Sequence, residues 1–515
     1  MQWIAVNRRF RQVLAVLLGL TALLAAINAY TYSYAAGIPL VQSDAWIFLD
    51  TYVRKYLEGN FGWRDFFLQG NSSDTNFPLH KLIMLFHINR FHMDFKVEGL
   101  IGVAAGISLV ALLAVTAVGT KADKWGLSGY ALLAWLALVT LSLNSSNVYT
   151  WPLATMWFLN ILIVAVYLVV VARPTIAPWS AAIASVLVGL LVDEVALIAV
   201  LSAVMALLLV RDMQPPRTRL LQAGGAIAGL ILVRGLYAWF NAVNGVASGP
   251  AAAQGPVQGL IGLLTSDGLQ LILLPLGDSL IHTHALQQWF PRNHAAVGNA
   301  IGAGLLAAHA WFWWTVLRPR NRLAPDHVRV RRLAVALMLL FYGTLAGIAL
   351  QRVPAFGIDY LHQPRYVLFY QLNLAALGLM GYSTYTNGAP NSRFRPLAAG
   401  AAMLALLALG ILQWHLSVRS WEHAKYLSMY VEGTARTMGR LAIDPGADVE
   451  CADILRICDF PAHRRQQMME LLVNYQLNIF NPGFQSLYRL RPYPPPAAAA
   501  PVQPSSKAES VLPGR

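Results

Sequence analysis

The chain of 515 residues is 57% hydrophobic and only 12% charged, with a mean hydropathy of +0.50. This balance is typical of an integral membrane protein and excludes a soluble domain carried by a single anchor. The formal net charge of +14 is spread over short connecting segments rather than one patch, so it does not indicate nucleic-acid binding.

Apolar stretches recur along the whole chain, and most are long enough to cross about 30 Å of hydrocarbon. They predict an all-α polytopic membrane protein whose transmembrane domain occupies residues 1–416. We expect about eleven transmembrane helices, at residues 12–34, 99–118, 128–143, 153–172, 177–192, 195–210, 220–240, 297–317, 333–350, 367–385 and 396–416.

Every second connecting segment is short and basic, beginning with Arg8, Arg9 and Arg11 before the first span. Because Lys and Arg are retained on the cytoplasmic side, we expect a cytoplasmic N-terminus and an extracytoplasmic C-terminus. The first span is long and no small-residue cleavage site follows it, which favours an uncleaved signal anchor. Arg-rich and Ala-rich usage is associated with GC-rich bacteria, so the expected location is a bacterial plasma (inner) membrane.

Two large loops fall on the predicted outer side. The first, residues 35–98, contains amphipathic pieces at Trp46–Leu57 and His80–Phe91 that we expect to lie on the membrane surface. The second, residues 241–296, begins with a flexible Gly/Ala/Pro-rich stretch. Its apolar part, Leu260–Leu276, predicts a re-entrant or interfacial segment, with a further pair of crossings as the alternative.

The C-terminal region predicts a small extracytoplasmic helical cap at residues 417–496 and a disordered tail at 497–515. The cap holds both cysteines of the chain, Cys451 and Cys458. An oxidising compartment would let them form a disulfide across a turn or a distorted helix. Two free buried thiols are the alternative.

Asp193 and Glu194 separate two short apolar stretches with no turn residue between them. One interpretation is a hairpin of short helices that brings both carboxylates to the outer surface. The other is one long helix with the carboxylates near its middle. The alternation of basic loops favours the hairpin, and adjacent carboxylates in lipid would be costly.

Asp44 stands about ten residues beyond the first span, just before Trp46. A carboxylate at the membrane surface beside an interfacial Trp is placed to accept a proton from a hydroxyl group. Asp is also a preferred N-cap residue, so a cap for the helix that begins at Ala45 is the simpler local interpretation.

The same loop continues to Asp74-Thr75-Asn76-Phe77-Pro78-Leu79-His80-Lys81. An acidic residue after the first span, an amphipathic helix, and then an acidic segment with Pro-Leu before another surface helix resembles the first outer loop of the GT-C superfamily. These polytopic glycosyltransferases use lipid-phosphate-linked sugars and include the protein mannosyltransferase and aminoarabinose transferase branches. The resemblance covers the first hundred residues best. Many relatives have an acidic doublet where this chain has Asp44-Ala45, and Lys-Pro-Pro where it has Asn76-Phe77-Pro78.

The resemblance implies an inverting sugar transfer from a polyprenyl phosphate or diphosphate to an extracytoplasmic glycan or lipid. It implies Asp44 as the base, and cationic groups that hold the lipid phosphate. Arginine offers a fork of donors that fits a phosphate, and the residues expected in this role are Arg234, Arg365 and Tyr366. Acceptor or cation binding is expected at Asp74, Asp193 and Glu194. The resemblance does not identify a cofactor, but these carboxylates would suit a divalent cation.

Simpler roles exist for the same residues. Arg234 lies within a predicted span and could extend to the interface or pair with Asp193 or Glu194. Arg365 and Tyr366 could be interfacial anchors. For the histidines, His80 and His87 share a helical face and His282-Thr283-His284 could chelate in an extended strand, but packing roles are favoured over a zinc site.

Two other functions use the same pattern. A transporter or flippase for a lipid or polyanion could use these arginines, although the chain has no internal repeat and its spans have apolar inner halves. A non-catalytic envelope-assembly protein would use the cysteine-bearing cap as its contact surface.

Overall fold

The structure is a computed structural model, and it describes residues 2–67, 78–121, 124–192, 194–210, 215–244, 268–318, 324–387, 395–451 and 455–491. Over these residues the chain is all-helical and has no strand, as predicted. The α-helices are α1 (Gln2–Ala36), α2 (Ala45–Phe48), α3 (Arg54–Leu57), α4 (Pro78–Phe91), α5 (Phe95–Val118), α6 (Leu127–Thr140), α7 (Ser146–Thr150), α8 (Pro152–Thr155), α9 (Trp157–Val171), α10 (Pro178–Val192), α11 (Glu194–Leu209), α12 (Pro216–Val243), α13 (Gln270–Leu280), α14 (Thr283–Trp289), α15 (His294–Leu317), α16 (Pro325–Phe356), α17 (Val367–Tyr370), α18 (Leu372–Thr386), α19 (Arg395–Ala424), α20 (Leu427–Ile443), α21 (Ala462–Asn474) and α22 (Pro482–Tyr488).

Several helices are long and apolar enough to cross a membrane. Over the described residues there are eight of them, Arg9–Ala36, Phe95–Val118, Leu127–Thr150, Pro152–Val171, Pro216–Val243, His294–Leu317, Pro325–Phe356 and Pro396–Ala424. Three shorter apolar helices accompany them, Pro178–Val192, Val195–Leu209 and Gln270–Leu280. The predicted span at 367–385 forms two short helices, α17 and α18. The polytopic architecture therefore holds for eight helices, and the count of about eleven remains a prediction.

The ends of α5 show how local sequence sets a span. Asp94 precedes the helix, and its Oδ1 accepts a hydrogen bond from the Lys96 N–H at 3.0 Å, which satisfies one of the free donors of the first turn. The helix stops before Gly119, whose φ of +103° suits glycine. Its 24 residues extend about 36 Å at 1.5 Å each, enough to cross the hydrocarbon core.

Small residues bring α10 and α12 into close contact. A Cβ atom on Gly225 would lie 2.2 Å from the Pro178 carbonyl oxygen, whereas nothing lies within 4 Å of one on Gly224. Only a glycine lets these two backbones approach so closely. This is the usual way for helices to associate in lipid, where burial of apolar area drives no association.

Loops predicted on the same side of the membrane contact each other. On the predicted cytoplasmic side, Lys124 Nζ lies 3.6 Å from the Asp326 carboxylate. On the predicted outer side, the Asn144 amide donates a hydrogen bond to the Asp278 carbonyl oxygen at 2.7 Å. These contacts fit the grouping of loops that the charge pattern predicts, while the orientation toward the cytoplasm remains a prediction.

The first outer loop and the C-terminal region share one hydrophobic core. Trp46 and Leu49 of the loop are fully buried there with Met438 and Met468 of the C-terminal helices. The segment Trp46–Leu57 therefore buries its apolar face against the cap, whereas its amphipathic pattern predicts a position on the membrane surface. Sequence pattern alone does not reveal which apolar partner covers an amphipathic helix. Helix α4 does keep an apolar edge free, since Leu82 and Phe86 are 54% and 53% exposed.

The cap begins later than predicted. Helix α19 continues to Ala424, beyond the predicted end of the last span at Leu416. Ser420 explains the extension, because it is buried and its hydroxyl donates hydrogen bonds to the carbonyl oxygens of Leu416 at 2.9 Å and Leu143 at 3.3 Å. The polar end of this helix is therefore held by packing that hydropathy does not detect.

Candidate functional site

Asp44 lies at the first turn after α1, where Ser43 adopts a φ of +52° and α2 begins at Ala45. The Asp44 carbonyl oxygen accepts the first helical hydrogen bonds, but the carboxylate makes no capping hydrogen bond. The local interpretation as an N-cap is therefore right for the backbone and wrong for the side chain. The side chain is 36% exposed and free to act on something other than its own helix.

The partner of this carboxylate is Arg456 of the cap, whose Nη1 lies 3.3 Å from Asp44 Oδ1. Arg456 has a φ of +57° and also contacts Asp459 at 3.1 Å. Its loop is closed by a disulfide between Cys451 and Cys458, with Cα atoms 6.2 Å apart. The closed loop holds a guanidinium group over the first outer loop.

The first outer loop also ends in a buried acidic group. Glu98, at the start of α5, is fully buried, and its two carboxylate oxygens lie 3.3 Å from His80 Nε2 and 3.4 Å from His87 Nε2. Burial lowers the pKa of His87, and the charge of Glu98 opposes that shift. The two histidines do share a helical face, as predicted. Over the residues that the structure describes, no group of three His, Cys, Asp or Glu side chains is arranged to hold a metal ion.

Arg365 lies on the short turn between α16 and α17. Its guanidinium carbon is 5.8 Å from the ring centre of Tyr360 and 5.2 Å from that of Tyr366, and its Nη2 donates to the Tyr360 hydroxyl at 2.5 Å. The Arg365 side chain is only partly buried. The cation–π contacts with both rings and the hydrogen bond to the Tyr360 hydroxyl orient the guanidinium group. They leave other N–H groups of Arg365 for a ligand.

A carboxylate that we did not single out from the sequence holds the same turn. Asp278, only 3% exposed, accepts a hydrogen bond from His362 Nδ1 at 2.6 Å through Oδ2. Its Oδ1 accepts from the Thr283 N–H at 2.9 Å. A signal was present, since Asp278 follows the apolar run Leu271–Leu276, and a carboxylate in such a run is by default a functional candidate. Our predicted segment ended two residues before it.

His282 supports the turn from the other side. Its Nε2 is 2.8 Å from the His362 carbonyl oxygen, and its Nδ1 accepts from the His284 N–H at 3.2 Å. Both ring nitrogens are thus used, and the residue caps α14 instead of lying in an extended strand. The capping role agrees with the packing role that the sequence favoured for His282, and the segment is not the extended strand that chelation by His282 and His284 would require.

The segments that carry Asp44 and Arg365 both contact the short helix α7. The Ile38 N–H, close before Asp44, donates to the Thr150 carbonyl oxygen at 3.0 Å. The turn Pro364–Tyr366 packs directly against α7. Helix α7 therefore joins the two regions, although the described contacts of the Asp44 carboxylate and of the Arg365 guanidinium are with different groups.

The remaining predicted site residues are less defined. Arg234 is half-buried within α12. Asp74 and Asp193 lie outside the described residues, as does the side chain of Glu194, the first residue of α11. Their expected roles in acceptor or cation binding stay predictions.

No protein-family model, curated protein or solved structure matches this chain. The resemblance to the GT-C superfamily accordingly stays a prediction, and the function has to be argued from the site.

Proposed function

We propose that this protein is a glycosyltransferase that moves a sugar from a polyprenyl-phosphate-type lipid to an extracytoplasmic acceptor, a glycan or a lipid, at the bacterial plasma membrane. Asp44 is the base that removes the proton of the acceptor hydroxyl. Arg365 and Tyr366 bind the donor phosphate, and Arg234 approaches it from α12. Asp74, Asp193 and Glu194 bind the acceptor or a cation.

One observation carries this proposal, namely the position of α7 between the two regions. The backbone hydrogen bond from the Ile38 N–H to the Thr150 carbonyl oxygen fixes the start of the first outer loop against α7, and the turn with Arg365 packs on the same helix. The base and the phosphate-binding cation act on opposite faces of one anomeric carbon, so they belong on neighbouring segments. The shared contact of both segments with the five residues of α7 supports this proposal.

The chemistry of each group fits its role. The Asp44 carboxylate is partly exposed and does not cap α2, so an acceptor hydroxyl can reach it. The leaving phosphate gains negative charge in the transition state, and an oriented guanidinium stabilises that charge. The two tyrosine rings beside Arg365 fix its plane before any ligand binds, which lowers the entropy lost on binding.

The test is mass spectrometry of envelope glycans and lipid-linked sugars in a deletion strain complemented with single variants. Asp44→Asn and Arg365→Gln should each lower the modification rate by about 100-fold or more. The matched controls are Asp459→Asn, which removes the other carboxylate beside Arg456, and Arg436→Gln, an exposed arginine that pairs with Glu432. Both controls should retain the wild-type rate.

Two outcomes would overturn the proposal. If deletion of the gene changes neither a glycan nor a lipid-linked sugar, the protein is not a glycosyltransferase. If deletion makes a finished lipid-linked sugar accumulate on the cytoplasmic leaflet, the protein moves the lipid across the membrane, and the arginines serve transport.

A further inference from the structure

We infer that His362, held by Asp278, is a second cationic group at the phosphate end of this site and the general acid that protonates the leaving phosphate. This inference rests on the proposed function. It assigns a task to two residues that the sugar-transfer proposal does not use.

The geometry fixes one edge of the imidazole ring and leaves the other available. Asp278 holds Nδ1 at 2.6 Å, and the second oxygen of Asp278 is occupied by the Thr283 N–H. The described hydrogen bond of the ring uses Nδ1, so Nε2 is the nitrogen left to face a ligand. The His362 side chain is 20% exposed against 3% for Asp278, so the ring is the reachable member of the pair. A buried carboxylate behind a reachable imidazole sets the tautomer and the orientation of a proton-transfer group.

His362 and Arg365 lie on the same turn, which neighbouring groups hold in place. The His362 carbonyl oxygen is 2.8 Å from His282 Nε2. The Tyr370 hydroxyl donates to the Leu361 carbonyl oxygen at 3.0 Å. A turn fixed on both sides of His362 keeps its ring on the same segment as Arg365, three residues further along the chain, and in this proposal one phosphate group meets both side chains.

The charges around the ring favour its protonated form. Burial alone would lower the pKa of His362, but its hydrogen bond to Asp278 and the negative charges of Asp278 and Asp359 outweigh burial and raise that pKa above its ordinary value of 6.5. The titratable neighbours at the start of α14 are His282 and His284, and burial lowers the pKa of both. On its own turn and on the preceding helix, the cations are Arg365 and Arg352.

The proton balance of the reaction is then complete. The acceptor oxygen forms a bond to the anomeric carbon, and its proton passes to the Asp44 carboxylate. The bond between the anomeric carbon and the phosphate oxygen breaks, and its electron pair stays on that oxygen. The Nε2 proton of His362 moves to the same oxygen, and solvent later returns one proton from Asp44 to His362.

Binding of farnesyl phosphate to the full-length protein in lipid nanodiscs tests the cationic role. Affinity is measured from about pH 5.5 to pH 8.5 for the wild type and for His362→Gln, Asp278→Asn, Arg365→Gln and the control His294→Gln, which replaces a partly exposed histidine. Farnesol, which lacks the phosphate, is the ligand control. The ratio of wild-type to His362→Gln affinity cancels the titration of the phosphate itself.

We expect that ratio to be about tenfold at the acidic end and to approach one at the basic end. Asp278→Asn should lower the pH at which affinity falls. Arg365→Gln should weaken binding at every pH, but its affinity should still fall over the same pH range as that of the wild type. His294→Gln should match the wild type. A ratio that is the same at all pH values would overturn the inference.

Transfer in isolated membranes of the host tests the general-acid role. The wild-type rate should fall as pH rises through the raised pKa of His362, and the rate of Asp278→Asn should fall at a lower pH. If Asp278→Asn does not fold, His362→Gln alone decides. Its transfer rate should be low at every pH and should not show the fall toward basic pH, the basic limb of the wild-type profile. An unchanged basic limb in His362→Gln would overturn the general-acid role.

The outcomes separate this inference from the proposed function. If the wild type binds farnesyl phosphate, Arg365→Gln loses that binding and His362→Gln behaves as the wild type, the proposed function stands and this inference fails. If the wild type binds farnesyl phosphate no better than farnesol, both fail.

Discussion

The guanidinium group of Arg456 lies 3.3 Å from the carboxylate of Asp44, although 412 residues separate them in the chain. The pair joins the first turn after the first span to a loop of the cap that a disulfide closes. The C-terminal cap is therefore part of the surface around Asp44, and it cannot be treated as an appendage.

The disulfide should contribute more to stability than the ion pair it supports. Replacing both cysteines with Ser should cost about 2 kcal/mol, because the open loop gains conformational freedom when the protein unfolds. Arg456→Gln should cost less than about 0.5 kcal/mol, since the Arg456 and Asp44 side chains are 51% and 36% exposed. Apparent melting temperatures in detergent, with and without a reductant, measure both effects. A reductant that leaves the melting temperature of the wild type unchanged would contradict the first expectation.

A substitution in the buried contact of Glu98 with His80 and His87 should lower the stability of the protein far more. Glu98→Gln places an amide where two imidazole rings face a carboxylate, and breaking such a buried pair costs about 3 kcal/mol. We expect a strong fall in the yield of monodisperse protein. Glu432→Gln is the control, because it breaks an exposed pair with Arg436 and should leave the yield unchanged. Equal yields of the two variants would show that Glu98 is dispensable.

The stability that His362 contributes should depend on pH in a defined direction. The folded-state pKa of His362 is raised, so its contribution is fully present below the ordinary value of about 6.5. It is lost as pH rises through the folded-state pKa. The gap in melting temperature between the wild type and His362→Gln should therefore be widest near about pH 5.5 and narrowest near about pH 8.5. A widening of the His362 gap toward basic pH would refute the assignment.

Two adjacent glycines of α12 offer a matched pair. Gly225→Ala forces a Cβ atom into the Pro178 carbonyl oxygen and should cost about 1–3 kcal/mol through the displaced helix. Gly224→Ala meets no atom within 4 Å and should be neutral or slightly stabilising. Thermal melting in detergent compares them directly, and the two should not shift alike if α10 and α12 pack as described.

Properties that depend on local sequence could be predicted. The long apolar helices could be predicted from hydropathy, because an apolar side chain that faces lipid needs no particular protein partner. The pairing of Cys451 with Cys458 depends only on a short separation and an oxidising side. The start of α2 after Asp44 agrees with the predicted N-cap position, although the Asp44 side chain does not make the capping hydrogen bond.

Contacts between distant segments could not be predicted. The hydrogen bond between Asp278 and His362 joins residues 84 apart, and it exists only because α13 packs against the turn after α16. The partner of Asp44 was missed for the same reason, since nothing near Asp44 in the sequence points to Arg456. The amphipathic pattern of Trp46–Leu57 predicted a buried face correctly, but it could not distinguish lipid from the cap as the partner.

Asn478 gives the shared core of the first outer loop and the cap a consequence for biogenesis. Its side chain is fully buried and donates to the carbonyl oxygens of Pro39 at 3.0 Å and Met93 at 2.7 Å, near the two ends of that loop. Ribosomes make the loop early and Asn478 late, so the loop waits for almost the whole chain to be translated and inserted. A truncated or stalled product would expose an unfinished Asp44 region, which makes it a natural target for membrane quality-control proteases.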